Sequence, residues 1–427
     1  MTVSAPPRPP SPARESRESK PLDREEIEAL VEALIEEARR EQRRRHRRYW
    51  ALAALAALVG AIVLVLLDGG AASQTASPAV SARMNPVAQV GTSRLAFTSA
   101  SLSTGPHAPP PTLVVSDLYV ANADGSDKRL LEHREHIGYP DYGSGVAWSP
   151  DGQTIAFFAP GKSSHSPPGL LFVNADGSGQ QRNVTREWGL DDLPVWSPDG
   201  KKIAFVSRRD GCRGEIYVMN ADGRGLRRLT RNGLADALPM WSPNGTRIAF
   251  LRFSVPPACG GWAGDPGPHV YVMNADGSGQ RRLARGWPSA WSADGRKIAF
   301  TGARNGTHGM YVMNADGSAQ RRLNTVSFHS AAWSPNGQKL LFVRARPGTR
   351  GKVNDIYVMN ADGSGQRKLA QGFNARWSPD GKNISFVSSR DGNLEIYVIN
   401  ADGSGQVNVS QSPLRDERWH AWSPGQK

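Results

Sequence analysis

The chain has 427 residues and a formal net charge of +13, with 45 glycines, 31 prolines and 2 cysteines. So much Gly and Pro calls for many turns and leaves little room for long helices. Residues 1–50 hold 12 Lys/Arg against 10 Asp/Glu, so most of the basic excess is spread thinly along the rest of the chain. It lacks the clustering of a polyanion footprint, and no nucleic-acid partner is expected.

Residues 1–21 are rich in Pro, Ser and Arg, with almost no large apolar side chains. Such a segment buries too little surface to offset its chain entropy and is expected to be a disordered tail. A charged amphipathic helix is predicted over 22–48. Asp23 and Glu26 form a capping box, Leu22 and Ile27 a hydrophobic staple. Ile27, Leu30, Val31, Leu34 and Ala38 share one face. That stripe is read either as a weakly self-associating surface or as a docking face for a cytoplasmic partner or a paired copy.

Seven arginines (Arg39, Arg40, Arg43, Arg44, Arg45, Arg47, Arg48) then precede Tyr49-Trp50 and an uncharged run to Leu67. As a helix, residues 49–67 span roughly 28 Å, close to the hydrocarbon thickness of a bilayer. The aromatic pair suits the interface, and the arginines orient the N-terminus to the cytoplasm. Residues 49–67 are therefore read as a single-pass anchor in the cell membrane. The alternative is a cleaved signal peptide, with Ala71-Ala72-Ser73 as its site, but the charged region before it is unusually long. Residues 68–90 read as a flexible linker to an extracytoplasmic domain at 91–427.

A motif of about 45 residues dominates that domain. Asn-Ala-Asp-Gly begins at Asn122, Asn174, Asn220, Asn274, Asn314, Asn360 and Asn400, and Trp-Ser begins at Trp148, Trp196, Trp241, Trp291, Trp333, Trp377 and Trp422. Each copy reads as four strands. The first ends at the tryptophan, and a Ser-Pro-Asp-Gly turn such as Ser197 to Gly200 leads to an Ile-Ala-Phe strand. A third strand of the type Ile216-Tyr217-Val218-Met219 follows. After Asn-Ala-Asp-Gly comes a fourth strand rich in Gln and Arg, suited to an exposed edge. Strands apolar on both faces must be sandwiched between neighbouring sheets, which a closed ring achieves. The first copy lacks a Trp-Ser strand and the last copy ends at one. Residues 416–424 are therefore expected to complete the blade begun at residue 94. The fold class is all-β: a seven-bladed β-propeller of four-stranded antiparallel sheets, preceded by a cytoplasmic helix and one transmembrane helix. The alternative is six blades with one irregular unit.

Over roughly residues 91–427 these motifs resemble the TolB-like, WD-like propeller repeats. The resemblance implies a propeller whose channel mouth and loops bind peptides, proteins or glycans. The chain departs from TolB itself, whose propeller follows a separate α/β domain and which is soluble in the periplasm. Related propellers precede the hydrolase domain of prolyl oligopeptidase-like enzymes.

Catalytic motifs are missing: there is no Gly-x-Ser-x-Gly elbow and no Walker-type phosphate loop. The Asp-Gly turns do not match the twelve-residue calcium loop. His133 and His136 have metal-ligand spacing on a helix, but after an outer strand they read as a solvated loop. No metal or cofactor is expected. Cys212 and Cys259 lie between the second and third strands of adjacent blades, hence on one rim, and a disulfide is expected if that rim is oxidising. The alternative is two free thiols.

The segments before each Trp-Ser strand should ring one channel mouth and vary as ligand-binding loops do. They carry Asp141, Tyr142, Asp191, Asp192, Asp236, Trp287, His329, Asn374, Arg376, Arg415, Asp416, Arg418 and Trp419. Carboxylates on one arc and arginines with tryptophan on another suit a peptide or a sugar. The long loops at 101–112 and 252–268 are placed on the opposite rim. The function expected is non-enzymatic binding or scaffolding of a protein, peptide or glycan in the cell envelope. The alternatives are a hydrolase or lyase working at the channel mouth, and a transmembrane sensor with helix 22–48 as its output.

Overall fold

A computed structural model describes residues 93–103, 113–137, 145–159, 169–179, 182–185, 191–211, 213–254, 267–304, 307–324, 328–346, 354–412 and 415–425. All lie in one compact unit, residues 83–427. The expected tail, helix 22–48 and span 49–67 fall outside the described residues, as do Cys212 and Cys259. No helix among the described residues is long and apolar enough to cross a membrane.

The strands are β1 (Arg94–Ser103), β2 (Leu113–Asn122) and β3 (Arg129–Ile137). Blade 2 follows with β4 (Val146–Trp148), β5 (Thr154–Ala159), β6 (Gly169–Asn174) and β7 (Arg182–Asn183). Blade 3 has β8 (Asp191–Trp196), β9 (Lys202–Ser207), β10 (Glu215–Asn220) and β11 (Arg227–Arg228). Blade 4 has β12 (Ala235–Trp241), β13 (Arg247–Phe253), β14 (His269–Asn274) and β15 (Arg281–Arg285). Blade 5 has β16 (Trp287–Trp291), β17 (Lys297–Arg304), β18 (Thr307–Asn314) and β19 (Arg321–Arg322). Blade 6 has β20 (Phe328–Trp333), β21 (Lys339–Ala345), β22 (Asn354–Asn360) and β23 (Arg367–Gln371). Blade 7 has β24 (Phe373–Trp377), β25 (Asn383–Ser388), β26 (Glu395–Asn400) and β27 (Val407–Asn408). The last strand, β28 (Asp416–Trp422), pairs with β1 and completes blade 1 in the order β28-β1-β2-β3. The ring therefore has seven blades, sealed as the incomplete end copies predict, and the six-blade alternative is excluded. Each innermost strand touches the next all the way round.

The core is divided into seven layers, each lying between two adjacent blades. Strand periodicity explains this. Ile203 and Phe205 pack toward blade 2, while Ala204 between them packs toward blade 4. Burying such a phenylalanine contributes about 2–3 kcal/mol, and an isolated blade would expose both of its faces.

A second device runs round the axis. The indole Nε1 of Trp196 donates to the carbonyl of Ala147 in the preceding blade at 3.2 Å. Trp241, Trp291 and Trp377 repeat this onto Val195, Met240 and Ala332. Trp422 donates to Arg376 and Trp148 to Ala421, so β28 takes part on both of its sides. Trp333 alone of the seven has no partner for its Nε1.

Two connections are a single glycine. Gly286 joins β15 to β16 with φ +139°, and a Cβ there would lie 1.9 Å from the Thr301 carbonyl oxygen. Alanine at 286 is expected to destabilise the protein by roughly 3 kcal/mol or more. A thermal melt of Gly286→Ala checks this; an unchanged midpoint would contradict the close approach.

Strand register also corrects one expectation. Ala235, at the start of innermost strand β12, pairs with Phe253 at the end of β13, and Ala100 pairs with Asp416 in the same sense. The segments that leave β1 and β13 therefore set out from the same rim as the innermost-strand starts. The expectation that the connections at 101–112 and 252–268 belong to the opposite rim is therefore not met at their described ends; residues 104–112 and 255–266 lie outside the described residues. The opposite rim carries the Ser-Pro-Asp-Gly and Asn-Ala-Asp-Gly turns.

Candidate functional site

The variable rim is the candidate site. Most residues expected in loops there belong instead to the innermost strands. Asp191 and Asp192 open β8, Asp236 is in β12, Trp287 opens β16, His329 is in β20, and Asn374 and Arg376 are in β24. Asp416, Arg418 and Trp419 are in β28, and Arg415 stands just before it. Asp141 and Tyr142 lie outside the described residues, as do the side chains of His329 and Arg418.

The innermost strands bulge near this rim, with register shifts at Asp192/Val195, Ala237/Met240 and Phe373/Arg376. Leu193, Leu238 and Asn374 take the positive φ of the bulge, each at 52°. The bulge re-aims the residues before it.

Asp191 turns inward, fully buried, and accepts from Arg209 at 3.0 Å. Asp236 is likewise buried and accepts from Arg252 Nε at 2.7 Å and Nη2 at 2.8 Å, and from Asn232. These ion pairs tie the innermost strand to the second strand. Asp192 accepts from the Leu193 amide and Asp416 from the Leu394 amide. Arg415 is paired with the buried Asp117, which also accepts from Tyr119 and contacts His133 Nδ1 at 2.7 Å. Trp419 packs on the core between blades 1 and 2. His133 and His136 belong to strand β3, not to a loop. No group of three His, Cys, Asp or Glu side chains among the described residues is placed to hold a metal ion.

Trp287 is different. It is 46% exposed and stacks on Phe253 with ring centroids 6.3 Å apart. Between blades 4 and 5 lies a cavity of about 360 Å³ lined by Phe300, Tyr311, His269, Arg282, Arg285 and Gln320, Arg285 standing two residues before Trp287 in the chain. Blades 1, 3, 4, 5, 6 and 7 stack a second-strand Phe on a third-strand Tyr at the equivalent of Phe250–Tyr271, blade 2 having Leu171 in place of the tyrosine, and a cation commonly covers the pair. Arg252 stands 4.5 Å from the Tyr271 ring and Arg390 4.5 Å from Tyr397. Where blade 4 has Arg252 and blade 6 has Arg344, blade 5 has Gly302, and the Phe300–Tyr311 pair faces the cavity. Glycine is required there, because a Cβ would meet the Arg285 carbonyl oxygen at 2.6 Å. The cavity thus combines an aromatic floor with a basic rim. The same repeat position is small in other blades too, as at Ser207 and Ser388, so the sequence does not single out Gly302; the cavity depends on the packing of β15 against β17.

The sequence profile of the TolB beta propeller domain matches residues 111–254 and 325–426, more than half of the chain. The chain belongs to the TolB beta propeller domain family. TolB of the Tol-Pal system from Bordetella pertussis is 29% identical over 149 residues, covering 25% of this chain and 32% of that protein. Dipeptidyl-peptidase 5 from Porphyromonas gingivalis is 33% identical over 111 residues, covering 23% of this chain and 16% of the peptidase. The crystal structure of TolB from Acinetobacter baumannii superposes with a TM-score of 0.49 at 19% identity, covering 77% of this chain and 83% of that one. The chain thus spans a third or less of the length of these two sequence relatives. They include a Tol-Pal system protein and a dipeptidyl-peptidase, so membership of the TolB propeller family leaves the activity open.

Proposed function

We propose that the protein is a membrane-anchored, extracytoplasmic propeller that binds a protein, peptide or glycan of the cell envelope without catalysis. The observation that carries this reading is Trp287, a large aromatic left exposed on an innermost strand of a blade whose face toward blade 4 also holds an aromatic-floored, basic-rimmed cavity. Sites of this type combine a flat apolar contact with a few orienting polar groups. Most of the charged groups nearby on the strands are already engaged in ion pairs or backbone bonds, which suits a scaffold more than an acid–base pair. The anchor reading rests on the arginine run before the uncharged segment 49–67.

Retention on peptide and glycan arrays tests the binding reading. The wild-type chain is expected to retain a ligand, and Trp287→Ala to weaken it about tenfold or more, as loss of a central aromatic anchor does. If nothing is retained and the protein instead turns over a peptide or glycan, the reading fails.

A further inference from the structure

Six blades join their first and second strands by one continuous turn, and in two of them an amide stands where the others have a carboxylate. The third turn residue is Asp151, Asp199, Asp294 or Asp380 in blades 2, 3, 5 and 7, but Asn244 in blade 4 and Asn336 in blade 6. Asparagine does the aspartate's work with one oxygen. Asn244 Oδ1 accepts from the Ser242 hydroxyl at 2.8 Å and the Thr246 amide at 3.2 Å. Asn336 Oδ1 accepts from the Ser334 hydroxyl at 2.7 Å and the Gln338 amide at 3.1 Å. Asp199 makes the same two bonds at 2.6 and 3.1 Å, and Asp294 at 2.6 and 3.0 Å. The side-chain nitrogen has no such task. Asn336 Nδ2 reaches Gln338 Oε1 only at 3.5 Å, and Asn244 Nδ2 has no partner among the described residues.

Both asparagines are exposed, and each precedes a glycine that takes the turn's positive φ, Gly245 at 71° and Gly337 at 69°. Glycine lacks the Cβ that would shield its amide nitrogen, so that nitrogen can approach the carboxamide carbon beside it. Donors already aimed at the carboxamide oxygen draw charge from that carbon and stabilise the oxyanion that attack would form.

We propose that Asn244 and Asn336 are self-modification sites, at which the chain converts asparagine to the aspartate of the other blades. The nitrogen of Gly245 or Gly337 bonds to the asparagine Cγ, the Cγ–Nδ2 bond breaks, and ammonia leaves with the glycine's proton. Water opens the resulting five-membered imide. Attack at Cγ regenerates the peptide bond and leaves aspartate. Attack at the main-chain carbonyl carbon leaves isoaspartate, with the chain running through the side-chain carbon. Neither step changes an oxidation state.

The fold sets both rate and product. The Gly245 and Gly337 amides donate to the Ser242 and Ser334 carbonyls at 2.8 Å, so attack waits until this exposed turn opens. Aspartate then closes the turn with the bonds of blades 2, 3, 5 and 7, now charge-assisted and stronger. In blades 2, 3 and 5 the serine hydroxyl holds the aspartate's carboxyl below its usual range, so such a product is ionised at neutral pH. Isoaspartate puts an extra methylene into the ring closed by the Ser–Gly hydrogen bond and cannot restore it in the same form. Asn232–Gly233 is the internal contrast. Asn232 Nδ2 donates to the buried Asp236 at 2.7 Å while its Oδ1 accepts from the Leu234 amide at 2.8 Å. An acid in its place would face Asp236 as a like charge, so this asparagine should persist. The two turns lie on the rim opposite the variable one, and the proposal is independent of what Trp287 binds.

Full-length protein kept folded at pH 8 in ¹⁸O-water, beside the same protein in urea, tests this by peptide-mapping mass spectrometry. In the folded sample heavy oxygen is expected at 244 and 336, with aspartate the main product, and not at 232. In urea all three should convert, with isoaspartate a larger share. The double variant Asn244→Asp/Asn336→Asp carries the product and should melt no lower than the parent at pH 7. Positions 244 and 336 still unlabelled after weeks of folded storage would overturn the proposal. So would labelling of 232 that keeps pace with them, an equal share of isoaspartate in folded and unfolded samples, or a lowered midpoint in the double variant.

Discussion

Deleting residues 416–427 is expected to abolish cooperative unfolding, or to lower the melting midpoint by more than 15 °C. The deletion removes the partner of β1 from Leu95 to Ala100. It removes Trp419 and Trp422 from two adjacent core layers, the indole bond to Arg376, and the carbonyl that receives Trp148. It also removes Ser423, whose hydroxyl accepts from the Arg94 amide at 2.9 Å and whose amide donates to the Arg94 carbonyl at 2.7 Å. Losing one buried tryptophan costs about 3–5 kcal/mol, and a whole domain is stable by only about 5–15 kcal/mol. Calorimetry decides the matter. A deletion variant that melts cooperatively within a few degrees of the intact chain would show that the ring holds without its seal.

The second large effect concerns pH. Glu417 on β28 is fully buried, and neither carboxyl oxygen has a hydrogen-bond partner of good geometry. Burial, then the charge of Glu395 on β26, push its carboxyl up to about 8; Ser99 on β1, Ser412 and Lys128 only partly offset this. A folded-state value raised above the unfolded one means a contribution fully present below about pH 4 and lost as pH rises through about 8. Stability is therefore expected to fall between pH 5 and 9 by on the order of 3 kcal/mol. Glu417→Gln cannot ionise and should flatten that slope, so its advantage over wild type grows with pH. Urea unfolding at pH 5, 7 and 9 measures it; a wild-type-minus-variant difference that is constant with pH would rule out ionisation of Glu417 as the cause.

The scaffold was legible because its physics repeats. Seven Trp-Ser strands, the Ile-Ala-Phe run and two glycine turns per copy carried the strand count, and the missing first strand carried the closure. The candidate site was legible only in part. Asp191 and Asp236 read as mouth carboxylates, but the bulge after each turns them inward onto Arg209, just past the end of β9, and Arg252 in β13, which stand 18 and 16 positions later in the chain. Linear spacing does not reveal that pairing. Trp287 was found, since an aromatic before a strand is conspicuous, but the cavity between blades 4 and 5 depends on the packing of β15 against β17. Arg376 reads as a mouth residue and stands in innermost strand β24. Asp141, Tyr142, Cys212, Cys259 and the span 49–67 lie outside the described residues.

The bond between Arg94 and Ser423 joins positions 329 apart in the chain. Its geometry repeats that of Thr154 with Ser149 within one hairpin, so the seal is an ordinary blade turn with its covalent link cut. Closing a loop of that length costs roughly 5 kcal/mol of chain entropy, so the seal should form late, after six blades have stacked. Until then β1 presents an open edge that any copy of β28 fits equally well. At high protein concentration the terminal strand of one molecule can complete the ring of another, and the same turn that makes a monomer is then also the hinge of a strand-swapped dimer.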